Sequence, residues 1–230
     1  MAIYAIADLH LPGGDAKPMD LFGAQWERHF DRIADDWRAR VGPDDCVLLP
    51  GDLSWAMRLE DALPDLNAIG ALPGQKLILR GNHDYWWSAI GRVRAALPPG
   101  MRALQNDCAE LGDAVVAGTR GWSLPGDVDN PDDERIYRRE VLRLSLALGA
   151  AAKVAAGRPI VAMMHYPPLT DASRDTGFTQ LLEQYGVRHA VYGHLHGAAL
   201  RFAFRGEHRG VTYHQVSCDG LDFQLYKLPV

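Results

Sequence analysis

Five short apolar runs, each closed by an Asp, Asn or His, recur along the chain and restrict what it can fold into. Ile3 to Ala7 runs into Asp8-Leu9-His10, Cys46 to Leu49 into Gly51-Asp52, and Leu77 to Leu79 into Gly81-Asn82-His83-Asp84. Ile160 to Met164 runs into His165, and Ala190 to Tyr192 into Gly193-His194-Leu195-His196. Unbroken apolar runs of this length, bounded by turn residues, read as buried strands. Polar groups at the ends of such strands are costly to fold unless something binds them. In an α/β sheet the carboxyl ends of neighbouring strands share one crevice, where ligands bind. The five ends are therefore expected to meet.

The residues expected to converge are Asp8, His10, Asp52, Asn82, His165, His194 and His196, with His83 beside them. Five of the nine His lie in these motifs, where random placement would scatter them. All the converging residues offer N or O donors and none is Cys, which suits divalent Zn, Mn, Fe or Ni rather than a soft thiolate site. A single Zn site takes four ligands. Seven are about right for two metal ions sharing one carboxylate. Other catalytic signatures are absent, with no G-x-x-x-x-G-K-S/T phosphate loop and no G-x-S-x-G elbow.

Composition narrows the class. At 230 residues a single domain over 1–230 is expected, large enough for a full core. The net charge of −5 argues against a general nucleic-acid surface, which would be basic. Cys46, Cys108 and Cys218 form no C-x-x-C pair and no disulfide framework, which fits a reducing cytoplasm. No run is long enough to span a membrane, and the N-terminus lacks the basic region of a signal peptide.

Taken in order, D-x-H, G-D, G-N-H-D, a strand-terminal His and G-H-x-H resemble the calcineurin-like metallophosphoesterases, over nearly the whole chain from Asp8 to His196. The sequence is also similar to a bacterial branch of predicted phosphohydrolases that carries G-D-L-S-W (Gly51 to Trp55) and G-T-R-G-W (Gly118 to Trp122). The resemblance implies one metal ion on Asp8, His10 and His196, a second on Asn82, His165 and His194, and Asp52 bridging them. It further implies hydrolysis of a phosphate mono- or diester by a metal-bridging hydroxide. His83 would assist the leaving group, and Asp84 would hold its imidazole in the right tautomer. A small-molecule or nucleotide-like phosphate ester is the expected substrate class. The alternative is a non-catalytic, metal-binding scaffold of the same fold. One departure stands out: the common pattern G-D-x-x-D/N has Trp55 in its last place.

The remaining elements follow from periodicity and turns. A helix is expected from Phe22 to near Gly42, with Trp26, Phe30, Ile33 and Trp37 at helical spacing and His29 a surface or capping residue rather than a ligand. A second helix around Leu59 to Ile69 should start late or kink at Pro64. Ser88 is the expected cap of a helix reaching about Leu97. A long helix is expected over about Asp133 to Ala156, and a short one around Phe178 to Tyr185. Leu200–Phe204, Val211–Val216 and Phe223–Leu228 read as a strand meander. The order of elements implies two facing mixed sheets with helices outside, the four-layer α/β/β/α sandwich that the resemblance also implies. Trp55 either lines the pocket or caps the core. Tyr85-Trp86-Trp87 either stacks on a substrate or packs its loop, with Tyr85 a candidate substrate contact. Arg120 is a candidate contact to a substrate phosphate, against an ordinary surface role. Residues 126–134 are too degenerate for a calcium loop and read as a solvated loop or a lid.

Overall fold

The computed structural model describes residues 1–13, 19–126 and 130–230. In chain order its first half contains β1 (Ile3–Ala5), α1 (His29–Arg40), β2 (Cys46–Leu49), α2 (Leu59–Gly70), β3 (Gln75–Ile78), α3 (Ile90–Ala96) and β4 (Met101–Ala103). There follow β5 (Cys108–Leu111), β6 (Ala114–Thr119), α4 (Pro131–Ala155), β7 (Ile160–Met164), α5 (Gly177–Gln184) and β8 (Val187–Tyr192). The chain closes with β9 (Gly206–His208), β10 (Val211–Gln215) and β11 (Tyr226–Lys227).

Two mixed sheets result, one ordered β11-β1-β2-β3-β4 and the other β5-β6-β7-β8-β10-β9. The strands that carry the motifs run parallel to their neighbours, β1 with β2 and β2 with β3, and β7 with β8. Their carboxyl ends therefore lie at one edge of each sheet.

Alternation along each strand explains why the motif strands are apolar on both faces. Tyr4 and Ile6 join the core under α1 and α2, whereas Ile3, Ala5 and Ala7 join the core between the sheets. Ile160, Ala162 and Met164 face α4 and α5, whereas Val161 and Met163 face the first sheet. Three apolar layers thus separate four structural layers, which is the expected α/β/β/α sandwich.

Several local expectations need correction. The helix expected from Phe22 begins only at His29, because Arg28 adopts a left-handed backbone at φ 48 and Ala24–Trp26 form a separate 3₁₀ turn. His29 is buried rather than on the surface. Pro64 sits inside α2 without delaying its start at Leu59; proline removes one rung of the ladder and the packed apolar face carries the rest. Ser88 does not cap α3, whose N-cap position is Ala89 with no side-chain bond. Most of the expected strand over Leu200–Phe204 belongs to a 3₁₀ helix over Gly197–Phe202. Phe223 does not extend the meander either. Asp222 and Phe223 take φ of 50 and 59, and the chain crosses to pair β11 with β1 in the first sheet. The solvated loop or lid expected over 126–134 lies partly outside the described residues. Pro131 to Glu134 form the first turn of α4, where the Asn130 side chain accepts from the Asp132 N–H at 3.0 Å.

Candidate metal centre and its flanking clefts

All seven candidate ligands meet at the shared edge of the sheets. Asp8, His10, Asp52 and His165 are buried, and Asn82, His194 and His196 are partly buried. Donor atoms of Asp8, His10 and His196 lie within 4.8 Å of one another, as do those of Asp8, Asp52 and His165. His165 Nε2 is 3.5 Å from Asp52 Oδ2, and Asn82 Oδ1 meets His165 Nε2 at 2.6 Å and His194 Nδ1 at 2.8 Å. Asp8 stands between the two groups as much as Asp52 does.

Local backbone geometry explains how short loops reach one point. Asp8, His10, Asp52 and His194 take φ of 63, 45, 54 and 72. Non-glycine residues in this region are uncommon, and such strain persists only where the surroundings enforce it. The motif glycines follow from close approach. A Cβ on Gly81 would collide with the backbone and carboxylate of Asp52, and one on Gly193 with the carboxylate of Asp8.

Electrostatics leave three imidazoles ready to ligate. Burial drives His10 and His194 down to about 3 and lowers His165, so each presents a neutral lone pair at neutral pH. For His196, burial is outweighed by Asp8 and Asp219, which raise it to about 10. Burial, then the charges of Asp84 and Asp8, raises the Asp52 carboxyl well above its usual value. Burial also raises the Asp8 carboxyl, but the surrounding His196, His165 and His10 rings outweigh it and hold the group below the usual range. The Nε2 atoms of His10 and His196 face each other at 3.3 Å. Buried carboxylates crowding one another beside imidazole nitrogens that face inward fit divalent cations, and the N/O donor set has no soft member.

His83 lines the mouth of the cluster. Its backbone N–H donates to Asp52 Oδ1 at 2.7 Å, and its ring lies 4.5 Å from Trp55 and 5.8 Å from His10. Burial and then His165 lower its pKa, against the charges of Asp84 and Asp8. The expectation that Asp84 binds the His83 ring is not met. The Asp84 carboxylate is fully buried and accepts from the backbone N–H groups of Gly81, Asp52, Leu53 and Ser54 and from Trp86 Nε1. Its donors bind the G-N-H-D loop to the Gly51-Asp52 loop, and His83 Nδ1 is a buried atom without a hydrogen-bond partner among the described residues.

Two clefts flank the cluster. One of about 300 Å³ is walled by His10, Trp26, Trp55, His83, His196 and Phe22. Trp55 stacks on His10 with ring centres 4.7 Å apart, and it both lines this cleft and packs against the core under α1 and α2. The other cleft, of about 410 Å³, is mostly apolar and runs from His194 and Tyr166 past Trp122 to Arg201 and Phe202. Trp86 and Trp87 are core residues, while Tyr85 is 51% exposed with its ring 6.1 Å from His83. Arg120 lines neither cleft. Its guanidinium lies 4.5 Å over the Trp122 ring, and only its carbonyl approaches the centre, accepting from His165 N–H at 3.1 Å.

Residues outside the motifs support the cluster. Asp219 accepts from His196 Nδ1 at 2.9 Å, the carboxylate partner that commonly orients a ligating His. His29 reaches the Leu9 carbonyl at 2.7 Å, between Asp8 and His10. Asp65 takes Ser54 Oγ at 2.5 Å and Gly13 N–H at 2.8 Å. No periodic signal marks Asp219; the second left-handed turn that follows it is visible only in the structure.

Comparison with known proteins agrees with this geometry. The family model for calcineurin-like phosphoesterase matches residues 1–198. No curated protein matches. Among solved structures, the phosphopantetheinyl hydrolase PptH of Mycobacterium tuberculosis is similar with a TM-score of 0.59 at 14% identity, covering 99% of this chain and 95% of that one. The protein of unknown function AQ665 from Aquifex aeolicus is similar with a TM-score of 0.53 at 13% identity, covering 98% and 95%. Those likenesses concern the fold. With the family model spanning five strand-end motifs that fold into one buried cluster, the chain belongs to the calcineurin-like phosphoesterases, a family of metal-dependent phosphohydrolases.

Proposed function

We propose that the chain, acting as one domain over 1–230, is a dinuclear metal-dependent phosphoesterase for small phosphate esters. The convergence of Asp8, His10, Asp52, Asn82, His165, His194 and His196 in one buried cluster carries this reading. Asp8, His10 and His196 would hold one divalent ion and Asn82, His165 and His194 the other, with Asp52 between them. Bound divalent ions supply Lewis-acid activation of water and neutralise charge on phosphoryl oxygens. The protein's own part is to hold the ester there and to manage its leaving group.

His83 is the residue for that second task. Its ring borders the aromatic cleft beside His10 and His196, within reach of an ester oriented by the cluster. A ring N–H donated to the leaving oxygen would stabilise the charge that develops there. Asp84 acts indirectly, by fixing the loop from which His83 projects. Trp55 and Trp26 offer apolar and stacking surface to the leaving group, and the larger cleft accommodates a longer substituent. The phosphopantetheinyl hydrolase of similar fold makes a phosphopantetheinyl ester one reasonable probe.

A non-catalytic scaffold is the second reading. Exposed Leu142 and Leu146, one turn apart on α4, are the feature that favours it. The undegraded ligand set favours an enzyme. Metal-stripped protein supplied with Mn²⁺ should hydrolyse p-nitrophenyl phosphate or its bis-p-nitrophenyl diester, and chelator should abolish the activity. Diester preference would direct the search to diesters and cyclic nucleotides, and monoester preference to phosphorylated metabolites. No turnover of any probe by protein that retains two metal ions would favour the scaffold.

A further inference from the structure

A cavity of about 300 Å³ beside the loops that follow β3 and β6 shares no lining residue with either cleft at the metal centre. Arg80, Arg120, Arg139 and Arg143 line it, with Glu140 as its single carboxylate. Four cations against one anion leave a local charge of +3, in a chain whose net charge is −5. Glu140 is fully buried and already engaged, by Arg143 at 2.6 Å, Thr119 Oγ1 at 2.7 Å and Arg139 at 3.7 Å. Among the described residues neither Arg80 nor Arg120 has an ion-pair partner. Arg80 Nε and Ser88 Oγ are buried donors with no hydrogen-bond partner among the described residues.

Like-charged guanidiniums crowded into one cavity, with Arg80 and Arg120 partly withdrawn from water, are unfavourable unless an anion joins them. The Arg120 guanidinium feels this directly: burial lowers its pKa, Glu140 opposes the shift, and Arg80 and Arg139 add to it. Planar guanidinium forks with a hydroxyl nearby match the several acceptor oxygens of a phosphate group.

We propose that this cavity binds a phosphate-class oxyanion, independently of the metal centre. Its position gives the binding a consequence. Arg80 immediately precedes Gly81-Asn82-His83-Asp84, and the Arg120 carbonyl accepts from the N–H groups of His165 and Tyr166 at 3.1 and 2.9 Å. An anion held by both arginines ties together the loops that carry Asn82 and His165.

The test is calorimetric titration of inorganic pyrophosphate into the full chain after chelator treatment. Binding of one pyrophosphate per chain is expected, weakening with added salt. Arg80→Ala and Arg139→Gln should each weaken it roughly tenfold or more. Arg139 is largely exposed, so its replacement tests the site even if Arg80→Ala disturbs folding. His196→Ala, at the metal centre, should change the affinity less than about twofold. Absent binding, binding that survives both arginine replacements, or binding lost with His196→Ala would overturn the proposal. Because the chelated protein is used, none of these outcomes bears on the phosphoesterase reading.

Discussion

The candidate metal centre and the arginine cavity meet at the end of β3 yet carry opposite chemistry. At the centre, buried carboxylates crowd neutral imidazoles, and a cation relieves their repulsion. In the cavity, four guanidiniums share one carboxylate, and an anion relieves theirs. Arg80 joins the two in sequence, one residue before the Gly81-Asn82 turn. Arg120 joins them in space, with its carbonyl toward His165 and its guanidinium in the cavity. Where like charges are crowded together, the missing partner has a sign that can be read from the cluster itself.

The contrast is broken most forcefully at the centre. Replacing His83 by Ala should lower turnover by about 10²–10⁴ while metal content stays unchanged; steady-state kinetics with elemental analysis checks both. Loss of metal with activity would make His83 a ligand or a fold residue instead. A smaller effect is expected one step behind the ligands. Asp219→Asn frees the His196 ring, and metal affinity should fall about 10–100-fold in a competition titration against a coloured chelator.

Asp84→Asn should act on stability. Five donors converge on that carboxylate, and an amide would turn its NH₂ toward some of them. A loss of about 1–3 kcal/mol is expected in urea unfolding of metal-free protein. Least of all, Ser88→Ala should leave stability within about 0.5 kcal/mol, since the hydroxyl makes no protein hydrogen bond to lose. A larger loss would mean that Ser88 has a protein partner, which would weaken the case for the anion cavity.

The same contrast explains what the sequence made legible. Each candidate ligand of the centre follows an apolar run that must be a buried strand, so register and topology bring these residues together without further information. The sandwich was legible in the order of elements, strands and helices alternating on either side of a run of short strands. The arginines of the cavity come from a strand end, a loop and one helix, with no common spacing, and nothing local marks them as neighbours. Asp84 shows a subtler limit. Its place beside His83 suggested a tautomer partner, but a carboxylate buried among four backbone N–H groups satisfies those donors first. The sequence suggests His29 as a surface or capping residue of one helix that includes Trp26, whereas the left-handed Arg28 separates Trp26 from α1, and His29 is buried against the Trp26 and Leu9 carbonyls.

The central claim is that this cluster holds two divalent ions shared through Asp52. Elemental analysis of protein reconstituted with Mn²⁺ and freed of excess metal tests it most directly. About two ions per chain in the wild type, and clear loss of occupancy in Asp52→Asn, is the predicted result. A wild type that retains no ion, or an Asp52→Asn variant that keeps both ions and the full hydrolytic rate, would contradict it.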